Sequence, residues 1–85
     1  MYYLYLLYSD KIKEFYIGTS VDLRKRFYSH NIGDSIATKE GIPWRLVYYE
    51  AYPTKDDALK REYKLKQYGQ ALRRLKERIT LVDPR

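Results

Sequence analysis

The chain has no cysteine, which excludes disulfide scaffolds, thiolate zinc sites, dithiol redox motifs and cysteine nucleophiles together. It has one histidine, His30, so a cluster of histidines cannot hold a metal. Four glycines and three prolines in 85 residues leave no flexible linker, and no internal repeat or low-complexity tract is present. Long apolar runs are missing too. The opening Tyr2 to Tyr8 stretch of Tyr and Leu is far short of a membrane span, and it lacks the basic leader and small-residue cleavage site of a signal peptide. A cytoplasmic protein is expected. A chain this short buries roughly 60 to 65% of its unfolded surface, so residues 1–85 should form one domain with most apolar side chains committed to its core.

Acidic residues are scarce in one segment only. Residues 60–78 carry eight bases (Lys60, Arg61, Lys64, Lys66, Arg73, Arg74, Lys76 and Arg78) against Glu62 and Glu77, while the remainder of the chain sums to zero. The net charge of +6 therefore sits on one stretch. A solvated, lysine-rich helix face would read this way, and so would the electrostatic footprint of a nucleic-acid binder.

The elements follow from pattern and punctuation. Residues 2 to 8 predict a strand closed by the turn signal Ser9-Asp10-Lys11, and Lys13 to Ile17 predict its hairpin partner, ending at Gly18. With Tyr8 facing Lys13 across the loop, Tyr5 would lie directly opposite Tyr16. Ser20 is a plausible N-cap for a helix to about His30, whose apolar stripe (Leu23, Phe27) is flanked by Arg26 and His30. Residues 31–43 read as a polar surface loop, and Trp44 to Ala51 as a third strand. Thr54 with Asp57 three residues later resembles a capping box opening a helix from Lys55 to about Gln67. Gly69 ends that helix, and Ala71, Leu72, Leu75 and Ile79 position another from Gln70 to about Ile79. The expected architecture is α+β, a three-stranded antiparallel sheet with about three helices in the order β-β-α-β-α-α.

The second helix breaks its own pattern. On a helical wheel Ala58, Leu59, Tyr63 and Leu65 define an apolar arc, and Glu62 falls inside it. An inward carboxylate needs a cation, a metal, or an end-on position at the rim of a cleft. An arginine from the first helix would serve, as would a side chain that reaches back to the surface. Two phenols, Arg26, His30 and this carboxylate beside a basic segment match what a phosphodiester demands: a cation for its charge, a carboxylate to hold a metal, and a group to take a proton from water.

Tyr16-Ile17-Gly18, preceded by Tyr3-Leu4-Tyr5 and followed by Leu23-Arg24-Lys25-Arg26-Phe27 and His30, resembles the GIY-YIG nuclease domain. The run from Ala58 to Lys66 is similar to the second-helix signature of its small bacterial single-domain branch, related to structure-specific endonucleases and to the incision subunit of nucleotide excision repair. The resemblance implies endonuclease activity with a single Mg²⁺ or Mn²⁺ ion, on DNA more than on RNA, at branched, flap or damaged sites, with no membrane partner and room for a protein that supplies specificity. It implies that Tyr5 and Tyr16 are the tyrosines of the two tripeptides, Gly18 the close-approach glycine, Arg26 the phosphate-contacting arginine, Glu62 the metal ligand, and His30 a polar residue lining the site. Gly18, Thr19, Arg24, Lys39, Lys60, Lys64, Lys66, Arg73, Arg74 and Lys76 are the expected nucleic-acid contacts. Departures are the Tyr-Leu-Tyr form of the first tripeptide, Thr19 where the excision-repair relatives carry lysine, and the absence of an asparagine after Glu62. A non-catalytic nucleic-acid-binding module of the same fold is the alternative.

Overall fold

The structure, a computed structural model, describes residues 1–79; the last six positions of the expected domain lie outside the described residues. Strands β1 (Tyr2–Ser9), β2 (Glu14–Ser20) and β3 (Trp44–Tyr52) form an antiparallel sheet in the order β2-β1-β3. Helices α1 (Leu23–Asn31), α2 (Lys55–Gln67) and α3 (Gly69–Arg78) complete the α+β architecture, with a short 3₁₀ helix at Ile36–Gly41. Among the described residues no helix is long and apolar enough to cross a membrane.

As the central strand, β1 is covered on both faces, which explains why it reads as a continuous apolar run where a half-exposed strand would alternate. Leu4 and Leu6 join Ile17, Leu65 and Leu75 in a core under α2 and α3. Tyr5 and Leu7 join Trp44 on the opposite face, against Leu23 and Phe27 of α1. Each such side chain contributes about 1.5 to 3 kcal/mol by leaving water.

The hairpin register differs from the expected one. Ser9 looks like a turn residue but is a fully buried strand residue, its Oγ donating to the Gly41 carbonyl at 2.6 Å and accepting from Ile12 N at 3.2 Å. The turn therefore comprises residues 10–13, closed by Lys13 in the left-handed region (φ 57°) and by its amide on Ser9 O at 2.8 Å. Ser9 pairs with Glu14, so Tyr5 lies opposite Gly18 and Tyr16 opposite Leu7. The slip is two residues, which keeps both phenols on one face, as diagonal neighbours.

The remaining differences are local. Ser20 closes β2 and accepts from Asp22 N, while Asp22 is the N-cap of α1, its carboxylate accepting from Lys25 N at 3.0 Å. The expected surface loop before β3 is partly internal. Trp44 draws it in: its Nε1 donates to Thr38 O at 2.6 Å, and its ring lies so close over Gly41 that a Cβ there would come within 2.7 Å of Cε2. At the end of α1, the Asn31 amide takes both backbone groups of Trp44, accepting from N at 2.6 Å and donating to O at 3.0 Å.

Helix α2 has the expected bounds, and Thr54 accepts from Asp57 N at 3.2 Å as the capping pattern requires. Its buried face is narrower than expected. Ala58 and Leu65 are inside, but Leu59 and Tyr63 are exposed, at 39% and 60%. Arg61 is turned inward instead, placing Nε 3.0 Å from Glu50 Oε1 and Nη2 3.1 Å from Oε2. The Tyr48 and Tyr52 hydroxyls donate to the same carboxylate. Burial alone would push Glu50 up; its bonds to Arg61, Tyr48 and Tyr52 outweigh that and hold it below the usual carboxylate range. This clamp between β3 and α2 sets the rotation of α2.

Candidate active site

The site assembles around one hydroxyl. Tyr5, 1% exposed, extends its phenol across the sheet onto β2, where Gly18 gives it room. A Cβ on Gly18 would sit 2.5 Å from Tyr5 Cζ. The Tyr5 hydroxyl lies 2.8 Å from His30 Nε2, and His30 Nδ1 lies 2.8 Å from Thr38 Oγ1. Trp44 fixes Thr38 through the indole bond to its carbonyl, so Tyr5, His30, Thr38 and Trp44 form one buried chain of hydrogen bonds. Tyr16 packs edge-on against His30, with centroids 5.0 Å apart, and against Trp44 at 6.3 Å.

Charges surround this chain. Burial pushes the Tyr5 phenol above its ordinary value, the Arg26 guanidinium beside it pulls the other way, and negative charge on Tyr16 or Glu62 would push it further up. These influences show that Tyr5, Tyr16, Arg26 and Glu62 share one electrostatic neighbourhood, contributed by β1, β2, α1 and α2. Glu62 is not sealed inside α2, and among the described residues its ion pair is made within its own helix, not with an arginine of α1. Its side chain is one-fifth exposed, and Oε2 pairs with Lys66 Nζ at 3.0 Å, one turn along the same helix. The carboxylate thus stands at a rim with a displaceable surface partner.

His30 is fully buried, so it acts on Tyr5 rather than facing solvent. Burial first, and then the Arg26 charge, depress its pKa below the ordinary 6.5. Since the folded state favours neutral His30, the unfolded chain binds more protons below about pH 6.5. This contribution to stability is complete above that pH and shrinks as pH falls toward the folded value. Thermal melts between pH 5 and pH 8 should show the midpoint declining below about pH 6.5, and His30→Gln should flatten that decline. As the chain has no second histidine, an unchanged slope in the variant would contradict the assignment.

The expected nucleic-acid contacts lie on several elements and in different settings. Gly18 is buried beneath the Tyr5 phenol, which makes it a seat for the ring and no part of an open strand surface. Thr19 is half-buried opposite Leu4, and Lys39 is exposed on the 3₁₀ helix. Lys66 is held by Glu62, and Lys76 Nζ sits 4.5 Å above the Phe15 ring. Arg73 is exposed on α3; Arg74 borders a small hollow with Arg61 and Arg78; Lys60 and Lys64 border another on α2. Arg24 lines a hollow of about 710 Å³ between α1 and β3, together with Tyr3, Phe27 and Tyr49. Tyr3, which opens the departing Tyr-Leu-Tyr tripeptide, packs edge-on against Tyr49 there, with centroids 6.0 Å apart. Thr38 and Trp44 are the site residues that the sequence pattern does not disclose; their one legible signal is a lone tryptophan just after a polar loop.

A model of the GIY-YIG catalytic domain matches residues 1–76. A UPF0213 protein of Staphylococcus aureus (strain Mu3) is 46% identical over 66 residues, which cover 74% of this chain and 80% of the relative. A UPF0213 protein of Staphylococcus saprophyticus is 39% identical over 69 residues, covering 80% of this chain and 83% of the relative. No solved structure matches significantly. Because the matched span takes in both tripeptides, α1 and the Glu62 helix, the chain belongs to the GIY-YIG family of nucleases.

Proposed function

We propose that this chain is a divalent-metal-dependent endonuclease that hydrolyses phosphodiester bonds, of DNA in preference to RNA and at structured rather than uniform duplex sites. The observation that carries this reading is the buried hydrogen bond of the Tyr5 hydroxyl to His30, with Arg26 and Glu62 near enough to act electrostatically on the same phenol. Among the described residues no group of three acidic or histidine side chains could form a metal cage. A lone rim carboxylate instead suits Mg²⁺ or Mn²⁺, which takes its remaining ligands from water and substrate phosphate, so Glu62 would hold the ion. When bound, the ion would supply positive charge to the phosphate and the leaving 3′ oxygen.

The chain's own residues do the rest. A phenol that burial keeps protonated is a poor base by itself, but Tyr5 has a neutral imidazole at its hydroxyl. As a water attacks phosphorus and the P–O3′ bond breaks, the Tyr5 oxygen takes the water proton and passes its own to His30 Nε2, while the leaving 3′ oxygen takes a proton from solvent. His30 Nδ1–H then donates to Thr38 Oγ1, which holds the ring in the tautomer that leaves Nε2 open. Tyr16 walls the imidazole edge, and Arg26 meets the negative charge developing on the phosphate oxygens.

A cleavage panel of flap, branched and plain duplex DNA with Mg²⁺ or Mn²⁺ tests this reading. Arg26→Ala should cut about a hundredfold more slowly, the scale of losing one transition-state donor. Its melting midpoint should barely move, because the side chain is exposed. Wild-type protein that cuts nothing on the panel would refute the endonuclease reading and leave a binding module, whereas an Arg26→Ala variant that cuts normally would remove Arg26 from the chemistry.

A further inference from the structure

The surface of α2 that the apolar pattern assigns to the core is open. Leu59, Tyr63 and Tyr68, the last at the junction of α2 and α3, border a hollow of about 380 Å³ with Lys60, Lys64 and Asp56. Tyr63 and Tyr68 are 60% and 61% exposed. A large aromatic side chain left in water on a helix whose rotation is fixed by the Arg61–Glu50 clamp, and a second just past its end, are not displaced core residues. Tyr63 shares α2 with Glu62, Tyr68 follows at the helix end, and both lie in the stretch that carries the chain's net positive charge.

From this we infer that the hollow is a stacking platform for an unpaired segment of nucleic acid, with bases on Tyr63 and Tyr68 and backbone phosphates on Lys60 and Lys64. The chemistry selects this occupant. Apolar area alone would fit a protein partner equally well, but phenol faces interleaved with two lysines complement alternating bases and phosphates. One acidic residue, Asp56, borders the hollow, at the first turn of α2, where it complements the helix dipole. A duplex hides its base faces in its own stack and can use the lysines only. The inference rests on the nuclease reading and narrows its substrate to one with an unpaired strand beside the cut.

Fluorescence anisotropy with a labelled oligothymidylate of about twelve nucleotides, and with a duplex of the same length, tests it. Tyr63→Ser combined with Tyr68→Ser should weaken binding of the single strand roughly tenfold or more, the scale of losing base stacking, and binding of the duplex by less than about twofold. Tyr63→Trp with Tyr68→Trp should preserve single-strand affinity. Tyr28→Ser, an equally exposed tyrosine on α1, should change neither. Equal losses on the two probes, or none, would overturn the inference, as would a change confined to self-association in sedimentation runs. The same preparations are assayed for cleavage. If wild type cuts and the paired serine variant binds oligothymidylate normally, the platform is refuted and the nuclease stands. If wild type cuts nothing while the selective loss is seen, the platform stands as a binding site and the nuclease reading falls.

Discussion

Glu62→Gln should abolish metal-dependent cutting while leaving the melting midpoint close to that of the wild type. The geometry separates the two effects. The visible partner of Glu62 is Lys66, a helix-surface pair spaced by four residues with the lysine half-exposed, and such pairs contribute about 0.3 to 0.5 kcal/mol. Glutamine keeps the shape and can still accept a hydrogen bond from Lys66, so the loss should be no larger. A hard divalent cation, by contrast, needs the full negative charge, which an amide does not supply. Had the carboxylate been sealed against an arginine of α1, removing one partner would cost about 3 to 5 kcal/mol, and the midpoint would fall with the activity. Melts with and without Mn²⁺ check both sides: the wild type should gain a metal-dependent rise that the variant lacks. A strongly destabilised variant, or one that still cuts with Mn²⁺, would remove Glu62 from the site.

Gly18→Ala should strongly destabilise the fold and disrupt the site. The new Cβ would occupy space already held by the Tyr5 phenol, which is itself buried in the cluster with Leu7 and Trp44. Tyr5 must move, and when it moves its bond to His30 goes, leaving a buried imidazole nitrogen unpartnered. Overpacking and an unsatisfied buried group together cost about 2 to 4 kcal/mol. For a domain of this size the midpoint should drop by upwards of about 10 °C, with cleavage reduced at least a hundredfold. Tyr5→Leu removes the obstructing ring, so adding Gly18→Ala to that background should cost less than about 1 kcal/mol. Additive costs in the double variant would show that the glycine serves something other than Tyr5.

What the sequence discloses and what it hides divide along the range of the interactions. The order of elements, the bounds of α2 and the Thr54 cap rest on neighbours a few residues apart, and these are legible. The hairpin register depends on Ser9, whose hydroxyl finds its partner 32 residues away at Gly41. No local rule distinguishes it from a turn serine. The face of α2 is misjudged for the same reason: Arg61 points inward only because β3 presents Glu50, Tyr48 and Tyr52 to it. In the candidate site, Tyr5, Tyr16, Arg26, His30 and Glu62 are legible from spacing and resemblance. Thr38 is not, since a threonine in a loop gains its place only when the Trp44 ring closes over Gly41.

A three-stranded sheet has two borders, and each is an invitation to a strand from another molecule. At the start of β3 that invitation is withdrawn by one side chain. The Asn31 amide engages the Trp44 amide and carbonyl together, as the backbone of a fourth strand would, and so fills the first rung of a ladder that a neighbouring copy would need to begin. An exposed Tyr49 further along the same strand would reward such an addition with apolar contact, and the blocked rung stands in its way. The consequence of a single asparagine at the end of a helix is colloidal: a small, tyrosine-rich, strand-edged protein is discouraged from growing into a continuous sheet.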